Sequence, residues 1–493
     1  MEWHGILGFV PFVILFVGLV ATKLKSYITG FSVLLITSLL AIIVWKTSVH
    51  TVGFGILEGF ILAMIPILWV IFAAMFTYFL SVETGSIKVI EEYLTGITPD
   101  KNVQAVIMAF CLGGFLESVA GFGTAVAIPA AMLISLGFNP VRAAVITLVA
   151  NSVPVAFGAL GIPVIILSKI TSLDLTLLTR YVIIQLAPFA FLVPLAILVI
   201  ANGSFKGIKK SLFDTMLIGI SFTIIQTAVG FLVGPELVAV SGSLGSIILY
   251  LLYKRFTSKK RTVDYRRLYL SIMNYILLLV FVLVTRLVDI PVLKVSPFTV
   301  TFSLQGHAVA IDWLTTPGTL LFVAALAGGF FQRASISKIC EIIMLTVKKL
   351  APSALTILSI VALAKVMGYS GIIKSVALTL SSLSGKAYPL IAPILGALGT
   401  FVTGSDTSSN VLLGELQKNA AVNTGYSPEW ITAANTSGAT AGKMISPQSI
   451  SIAAATVGIK DERAIIRTTI FYCIGYSFVL GLYVFIVAKF WTF

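Results

Sequence analysis

Long apolar runs fill this chain, and its polar residues gather between them or inside a few interrupted stretches. A helix needs about 20 predominantly apolar residues to cross a bilayer core. Runs of that kind predict spans at about 6–22, 27–45, 54–82, 141–160, 180–202, 213–233, 235–253, 268–288, 315–332, 350–367, 429–456 and 466–490. Segments 103–137 and 389–423 do not fit a simple crossing. Each has two shorter apolar runs around a Gly/Ser/Thr tip, which predicts a re-entrant helical hairpin. The expected fold is thus an all-α polytopic membrane protein of about twelve spanning helices plus two re-entrant hairpins.

The polar interruptions come in two matching sets. Gly113, Val119, Gly121 and Thr124 align with Gly396, Val402, Gly404 and Thr407. After short gaps, Gly137, Phe138 and Pro140 meet Gly425, Tyr426 and Pro428, and Asn151, Gly158 and Pro163 meet Asn435, Gly442 and Pro447. Upstream, Pro66, Gly85 and Lys88 match Pro352, Gly371 and Lys374. This predicts a duplicated unit, and a division into N-terminal helices 1–52, unit 1 at 53–205, scaffold helices 206–338 and unit 2 at 339–493. Each unit would hold one hairpin and one broken helix, at 141–163 and 429–456, interrupted at Asn151-Ser152 and at Asn435-Thr436-Ser437.

Orientation follows from Lys and Arg, which favour the cytoplasmic side. Lys23/Lys25, Lys206/Lys209/Lys210, Lys254 to Arg267, Arg333 to Lys349 and Lys460/Arg463/Arg467 all fall on one face of this layout. Both termini then lie outside, the units are inverted, and the hairpin tips meet near mid-membrane. Inverted repeats with broken helices around a central site are the pattern of secondary transporters. The middle block reads as ordinary scaffold helices with an outer loop, Asp289 to Asp312, containing Pro291 and Pro297.

Composition narrows the class. Of 493 residues, 58% are hydrophobic and 11% charged, where soluble chains carry about 25% charged residues. The net charge of +14 is a topology and lipid-headgroup signal in this context, and no nucleic-acid role follows from it. Cys111, Cys340 and Cys473 are scattered without metal or redox spacing, and no metal or cofactor is expected. His4, His50 and His307 fall in expected loops or near a terminus, which argues against a histidine relay.

A small anion suits broken helices, because helix N-termini present unpaired N–H groups and partial positive charge. Candidate binding groups are Ser118, Gly121, Gly123, Thr124, Asn151 and Ser152 in unit 1. In unit 2 they are Thr407, Ser408, Ser409, Asn410, Asn435, Thr436 and Ser437. For the glycines, close helix–helix contact accounts for the pattern equally well. Intramembrane charges are costly and therefore informative. Lys443 is placed to neutralise a substrate carboxylate or to pair with Asp406, while Glu117 and Asp406 are candidate proton carriers. Glu415 is a weaker candidate near Lys418, and Arg142 reads as an interface anchor.

The stretches GGFLESVAGFGTAVAIPAAML, NPVRAAVITLVANSVPVAFGALGIP, GSDTSSNVLLGELQ and AANTSGATAGKMISPQSISIA resemble the lactate permease family. The resemblance implies a bacterial or archaeal plasma-membrane symporter taking up L-lactate, D-lactate or glycolate with protons. More loosely, the paired hairpins are similar to the ion transporter superfamily of dicarboxylate and citrate carriers. That likeness implies an elevator motion and a homodimer. The Ser-Asn-Thr tips of those carriers are not kept, which weakens their sodium sites as a guide. A sodium-coupled organic anion carrier is the alternative; a channel or a membrane-embedded enzyme fits the interrupted repeats less well.

Overall fold

The computed structural model describes residues 2–20, 25–119, 121, 123–257, 265–287, 299–304 and 307–490. Lys23, most of the outer loop before residue 299 and the centre of the Lys254–Arg267 cluster lie outside the described residues. The fold is a helical membrane bundle. Among the described residues, ten helical segments are long and apolar enough to cross a bilayer. That is fewer than the expected twelve, partly because the interrupted helices divide into shorter pieces.

The chain opens with α1 (Glu2–Gly8), α2 (Val10–Val20), α3 (Ser26–Ile43) and α4 (Val49–Leu62). A π-helical turn, Ala63–Leu68, carries α4 into α5 (Trp69–Glu83) at the position of Pro66. Proline removes a ladder hydrogen bond, and a local π adjustment is one way a helix absorbs the loss. After α6 (Ser86–Thr95) comes the first hairpin. Its entering arm is α7 (Lys101–Val106), a π stretch Ile107–Leu112 and α8 (Gly113–Val119); its return arm is α9 (Thr124–Ser135). Next are α10 (Pro140–Ala150), a 3-10 turn Pro154–Phe157, α11 (Gly158–Thr171) and α12 (Leu175–Asn202).

The middle block contains α13 (Lys209–Leu232), α14 (Val238–Thr257), α15 (Tyr265–Ser271) and α16 (Met273–Leu287), followed by α17 (Pro317–Phe331). Two departures occur here. The loop before α17 contains a two-stranded antiparallel sheet, β1 (Thr299–Leu304) with β2 (His307–Asp312), in which Leu304 faces His307. The β-branched and aromatic residues of TVTFSL favour such pairing. Between α13 and α14, the expected short loop is a buried 3-10 turn, Pro235–Leu237, packed on α11.

Unit 2 begins with α18, a 34-residue helix from Ile336 to Tyr369. The expected span at 350–367 is only its inner part. Ser335 caps the helix by accepting from Lys338 N–H, and no breaker intervenes before Pro352. Then come α19 (Ile372–Ser384), the second hairpin α20 (Tyr388–Thr403) and α21 (Asp406–Thr424), α22 (Pro428–Lys443), α23 (Pro447–Thr456) and α24 (Arg463–Phe490). The matched glycines share one conformation: Gly85/Gly371, Gly121/Gly404 and Gly137/Gly425 are all left-handed, with φ between 57° and 86°. The two helices that restart after Gly137 and Gly425 also match: Asn139 and Ser427 cap them, each followed by proline at the first helical position.

The units exchange contacts reciprocally. Helix α3, which precedes unit 1, and α4, which spans its start, pack on α18 of unit 2, while α17, which precedes unit 2, packs on α5 of unit 1. Likewise α11 of unit 1 lies along α21, and α23 of unit 2 lies against α9. The paired hairpins and broken helices therefore meet in the interior. His50 lies in the first turn of α4 and His307 begins β2, while His4 lies in α1.

Candidate functional site

The interior meeting point is a cavity of about 430 Å³ lined from both units. Each wall follows from a local break in helix structure. In hairpin 1, α8 stops at Val119 and α9 starts at Thr124, with Gly121 and Gly123 left-handed between them. In hairpin 2, Gly404 at φ 73° ends α20, and Ser405 caps α21 by accepting from Ser408 N–H. The first broken helix ends at Ala150 and restarts beyond Gly161. Between these points Ala159 (φ 44°) and Leu160 (φ 59°) adopt left-handed conformations unusual for residues with a Cβ. Such strain persists only where surrounding packing enforces it; here Gly161 is pressed against the Pro235 carbonyl.

The second break falls at a different place from the expected one. Asn435, Thr436 and Ser437 lie inside the continuous helix α22, and the interruption is Met444–Ser446, after which Ser446 caps α23. The polar run stays helical because Asn435 has partners in neighbouring helices and the small residues pack tightly, while the buried Thr436 and Ser437 hydroxyls make no hydrogen bond with the described residues. Asn435 Nδ2 donates to Asn410 Oδ1 at 2.9 Å, and Gln417 Nε2 donates to Asn435 Oδ1 at 3.1 Å. The α22 backbone also presses on α20, with Gly396 near the Asn435 carbonyl and Gly438 near that of Pro393. Both restarted helices carry the matched proline, Pro163 or Pro447, in their first turn.

Charged side chains meet in this cavity. Lys443 is 8% exposed, and its Nζ donates to the Gly404 carbonyl at 2.7 Å. Asp406 is 2% exposed, and neither carboxylate oxygen has a hydrogen-bond partner. The internal Lys443–Asp406 pair is therefore not formed; the ammonium holds the hairpin tip instead. Glu117, on the tip of hairpin 1, accepts from Asn151 Nδ2 at 3.2 Å and lies beside Gly158. The start of α21 lines the cavity through Asp406, Thr407 and Ser408, and the start of α23 through Pro447, Gln448 and Ser451. Two helix N-termini thus face a space that also contains an ammonium, an arrangement suited to an anion.

Among the sequence candidates, Glu117, Gly121, Asp406, Thr407, Ser408 and Lys443 line the cavity. The others are outside its lining. Ser118, Thr124, Ser152 and Ser409 donate to the carbonyls of Phe115, Gly121, Val149 and Gly396. Gly123 packs on Ile452, and Asn151 reaches the cavity only through Glu117. Asn410 donates to the Pro163 carbonyl at 3.1 Å, joining α21 to the restart of α11. Asn435 belongs to the same internal network, and Thr436 and Ser437 are fully buried in α22. Serine and threonine hydroxyls commonly bond a nearby backbone carbonyl this way, so polar composition alone predicts more cavity-lining residues than the structure shows.

Sequence reasoning missed Ala159, Phe401, Ser405, Gln448 and Ser451 as lining residues. The polar positions immediately after Pro447 were a usable signal for the last two. It also missed buried Glu58, which pairs with Lys365 at 3.0 Å between α4 and α18, and buried Glu236 in the turn beneath α11. Glu415 is half-buried on α21 facing the start of this charge group, beside Gly368 of α18, rather than only an outer surface. Lys418 donates to the Thr171 carbonyl at 2.5 Å. Arg142 donates to the Ala201 carbonyl at 3.2 Å, near the end of α12, consistent with an anchoring role. Among the described residues, no group of histidine, cysteine and acidic side chains is arranged to hold a metal.

Two solved transporters share this fold at 12% sequence identity, a level at which the likeness speaks to fold alone. The Alcanivorax borkumensis YdaH transporter matches with a TM-score of 0.53, covering 95% of this chain and 99% of that one. Neisseria gonorrhoeae MtrF, from a class of antimetabolite efflux pumps, gives 0.51, covering 93% and 94%. Sequence relatives are nearer. An L-lactate permease of Streptococcus iniae is 37% identical over 444 residues, spanning 87% of this chain and 94% of that protein. The Escherichia coli glycolate permease GlcA is 31% identical over 530 residues, covering 97% and 94%. The L-lactate permease family model matches residues 4–295 and 271–491. With the paired hairpins and the charged cavity between them, this extent of similarity establishes that the chain belongs to the lactate permease family.

Proposed function

We propose that the protein is a secondary active transporter taking up L-lactate and related 2-hydroxymonocarboxylates, D-lactate and glycolate, together with protons. The observation that carries the reading is the cavity in which the Lys443 ammonium and the partnerless Asp406 carboxylate face the same space. The names of the L-lactate and glycolate permease relatives support the substrate class. In this reading Lys443 receives the substrate carboxylate, and the N-termini of α21 and α23 add partial positive charge. Gly121, Thr407 and Ser408 complete the pocket, while Glu117 and Asp406 are the proton-carrying candidates.

Charge balance links the two cargoes. With both acids ionised, Glu117, Asp406 and Lys443 give the cavity a net charge of −1, which repels an anion. One proton removes that charge, and one lactate restores it, so co-binding leaves the site's charge unchanged. Burial makes this balance matter, because unpaired charge in a low-dielectric interior is costly. The matched breaks support two inverted units moving the site between membrane faces. The clustering of Lys and Arg supports a plasma-membrane location with both termini outside, and a homodimer with elevator motion completes the proposal.

The test is uptake of labelled L-lactate into proteoliposomes under an imposed pH gradient without Na⁺. Accumulation above the external concentration, collapsed by a protonophore, is the expected result. Uptake that requires Na⁺ at fixed pH would overturn the coupling. In Asp406→Asn, pH-driven accumulation is expected to disappear; normal accumulation would transfer the proton role to Glu117.

A further inference from the structure

The cavity contains a polar side chain that neither charge balance nor helix dipoles call upon. Gln448 is the second residue of α23 and is exposed where it lines the cavity. Its carboxamide lies directly over Gly404: a Cβ built on that glycine would sit 2.2 Å from Gln448 Oε1. The carbonyl of the same Gly404 accepts from Lys443. Two polar groups therefore converge on one residue of the hairpin tip, the ammonium at its carbonyl and the amide over its Cα.

Three of the nearby hydroxyls already have partners. Thr403 donates to the Gly399 carbonyl, Ser405 accepts from Ser408 N–H, and Ser451 donates to Glu462. Gln448 makes no hydrogen bond with the described residues, so its amide oxygen and both N–H donors are available to a ligand. A 2-hydroxy acid presents its carboxylate and hydroxyl on adjacent carbons. With the carboxylate at Lys443, the hydroxyl falls within the region that Gln448 reaches. A primary amide suits that group, since it can accept the hydroxyl proton and donate to the hydroxyl oxygen.

We infer that Gln448 is a specificity-determining residue that reads the 2-hydroxyl of the substrate, separating hydroxy acids from simple monocarboxylates. The inference rests on the transport reading above. A site that hydrogen-bonds a substrate hydroxyl discriminates against the analogue lacking it because the protein group is left unpaired. One such bond corresponds to roughly three- to tenfold in affinity.

Purified wild type and Gln448→Leu are compared in proteoliposomes for inhibition of labelled L-lactate uptake by unlabelled L-lactate and by propionate, which lacks the hydroxyl. In the variant the lactate constant should weaken by about three- to tenfold while the propionate constant stays within twofold, so the preference collapses. Parallel weakening of both constants, or an intact preference, would overturn the role of Gln448. Absence of lactate uptake by wild type would instead overturn the transport reading itself. Gln448→Met supplies the same comparison should the leucine variant fail to insert, and propionate reports site integrity in either variant.

Discussion

Lys443 combines an observed contact and a proposed binding role at one atom. Its ammonium ties the tip of hairpin 2 to the end of α22 through the Gly404 carbonyl, and it is the only cation among the described residues lining the cavity. In the proposed reading a substrate carboxylate competes with a backbone carbonyl for that ammonium and wins through its full charge. Lys443→Ala is expected to raise the KM for lactate by more than about tenfold, the effect of losing a charge-assisted hydrogen bond. The variant should still elute as a folded particle, since the cavity gives the freed carbonyl room for water. An unchanged KM in folded Lys443→Ala would remove the lysine from substrate binding. At this scale the sequence was a good guide to charges and a poorer one to hydroxyls. Glu117, Asp406 and Lys443 stand out because charge inside an apolar run needs a reason. Ser118, Ser152 and Ser409 have the same polar appearance, yet each bonds to a carbonyl within its own unit.

Elements were legible where backbone geometry demands a particular residue. Paired glycines marked left-handed turns, and the proline after Asn139 or Ser427 marked a helix start. The ANTSG run misled because small polar residues serve two ends, breaking a helix or bringing two helices together. In α22 they do the second. A Cβ on Gly438 would lie 1.9 Å from the Pro393 carbonyl oxygen, and one on Gly442 2.0 Å from that of Ala397. Gly438→Ala therefore forces α22 away from α20, at a cost of about 1–3 kcal/mol for overpacking. Gly475, in α24, has open space at the same point, so Gly475→Ala should hold or slightly raise stability through helix propensity. Thermal unfolding of the two purified variants separates these cases. Equal melting temperatures would show that the α20–α22 approach is not tight. No sequence feature announced the strained Ala159 and Leu160, because their conformations are imposed by packing around Gly161 and Pro235.

Across the whole molecule, the reciprocal packing means that neither unit is complete without the other's preceding helices. The Glu58–Lys365 pair tests this most directly, because Glu58 lies in α4 at the start of unit 1 while Lys365 lies in unit 2. The side chains are 8% and 19% exposed, and Tyr369 OH also donates to Glu58. Each is a charge within an otherwise apolar span, but nothing local in the sequence revealed that the two pair. Lys365→Met strands the Glu58 carboxylate, and breaking a buried pair from one side costs about 3–5 kcal/mol. Removing both charges with Glu58→Gln and Lys365→Met costs less, since desolvation falls together with attraction. The double variant should therefore melt above Lys365→Met alone, while lactate uptake persists because the pair does not line the cavity. Strictly additive losses would mean that the two residues act independently, and that α4 is fixed to α18 by its glycine contacts alone. The close approach of Gly59 to the Ala362 backbone, 2.4 Å from a Cβ built on the glycine, supplies that second attachment. Coupling in the double variant would place the ion pair beside that contact as a joint determinant of how α4 holds unit 2.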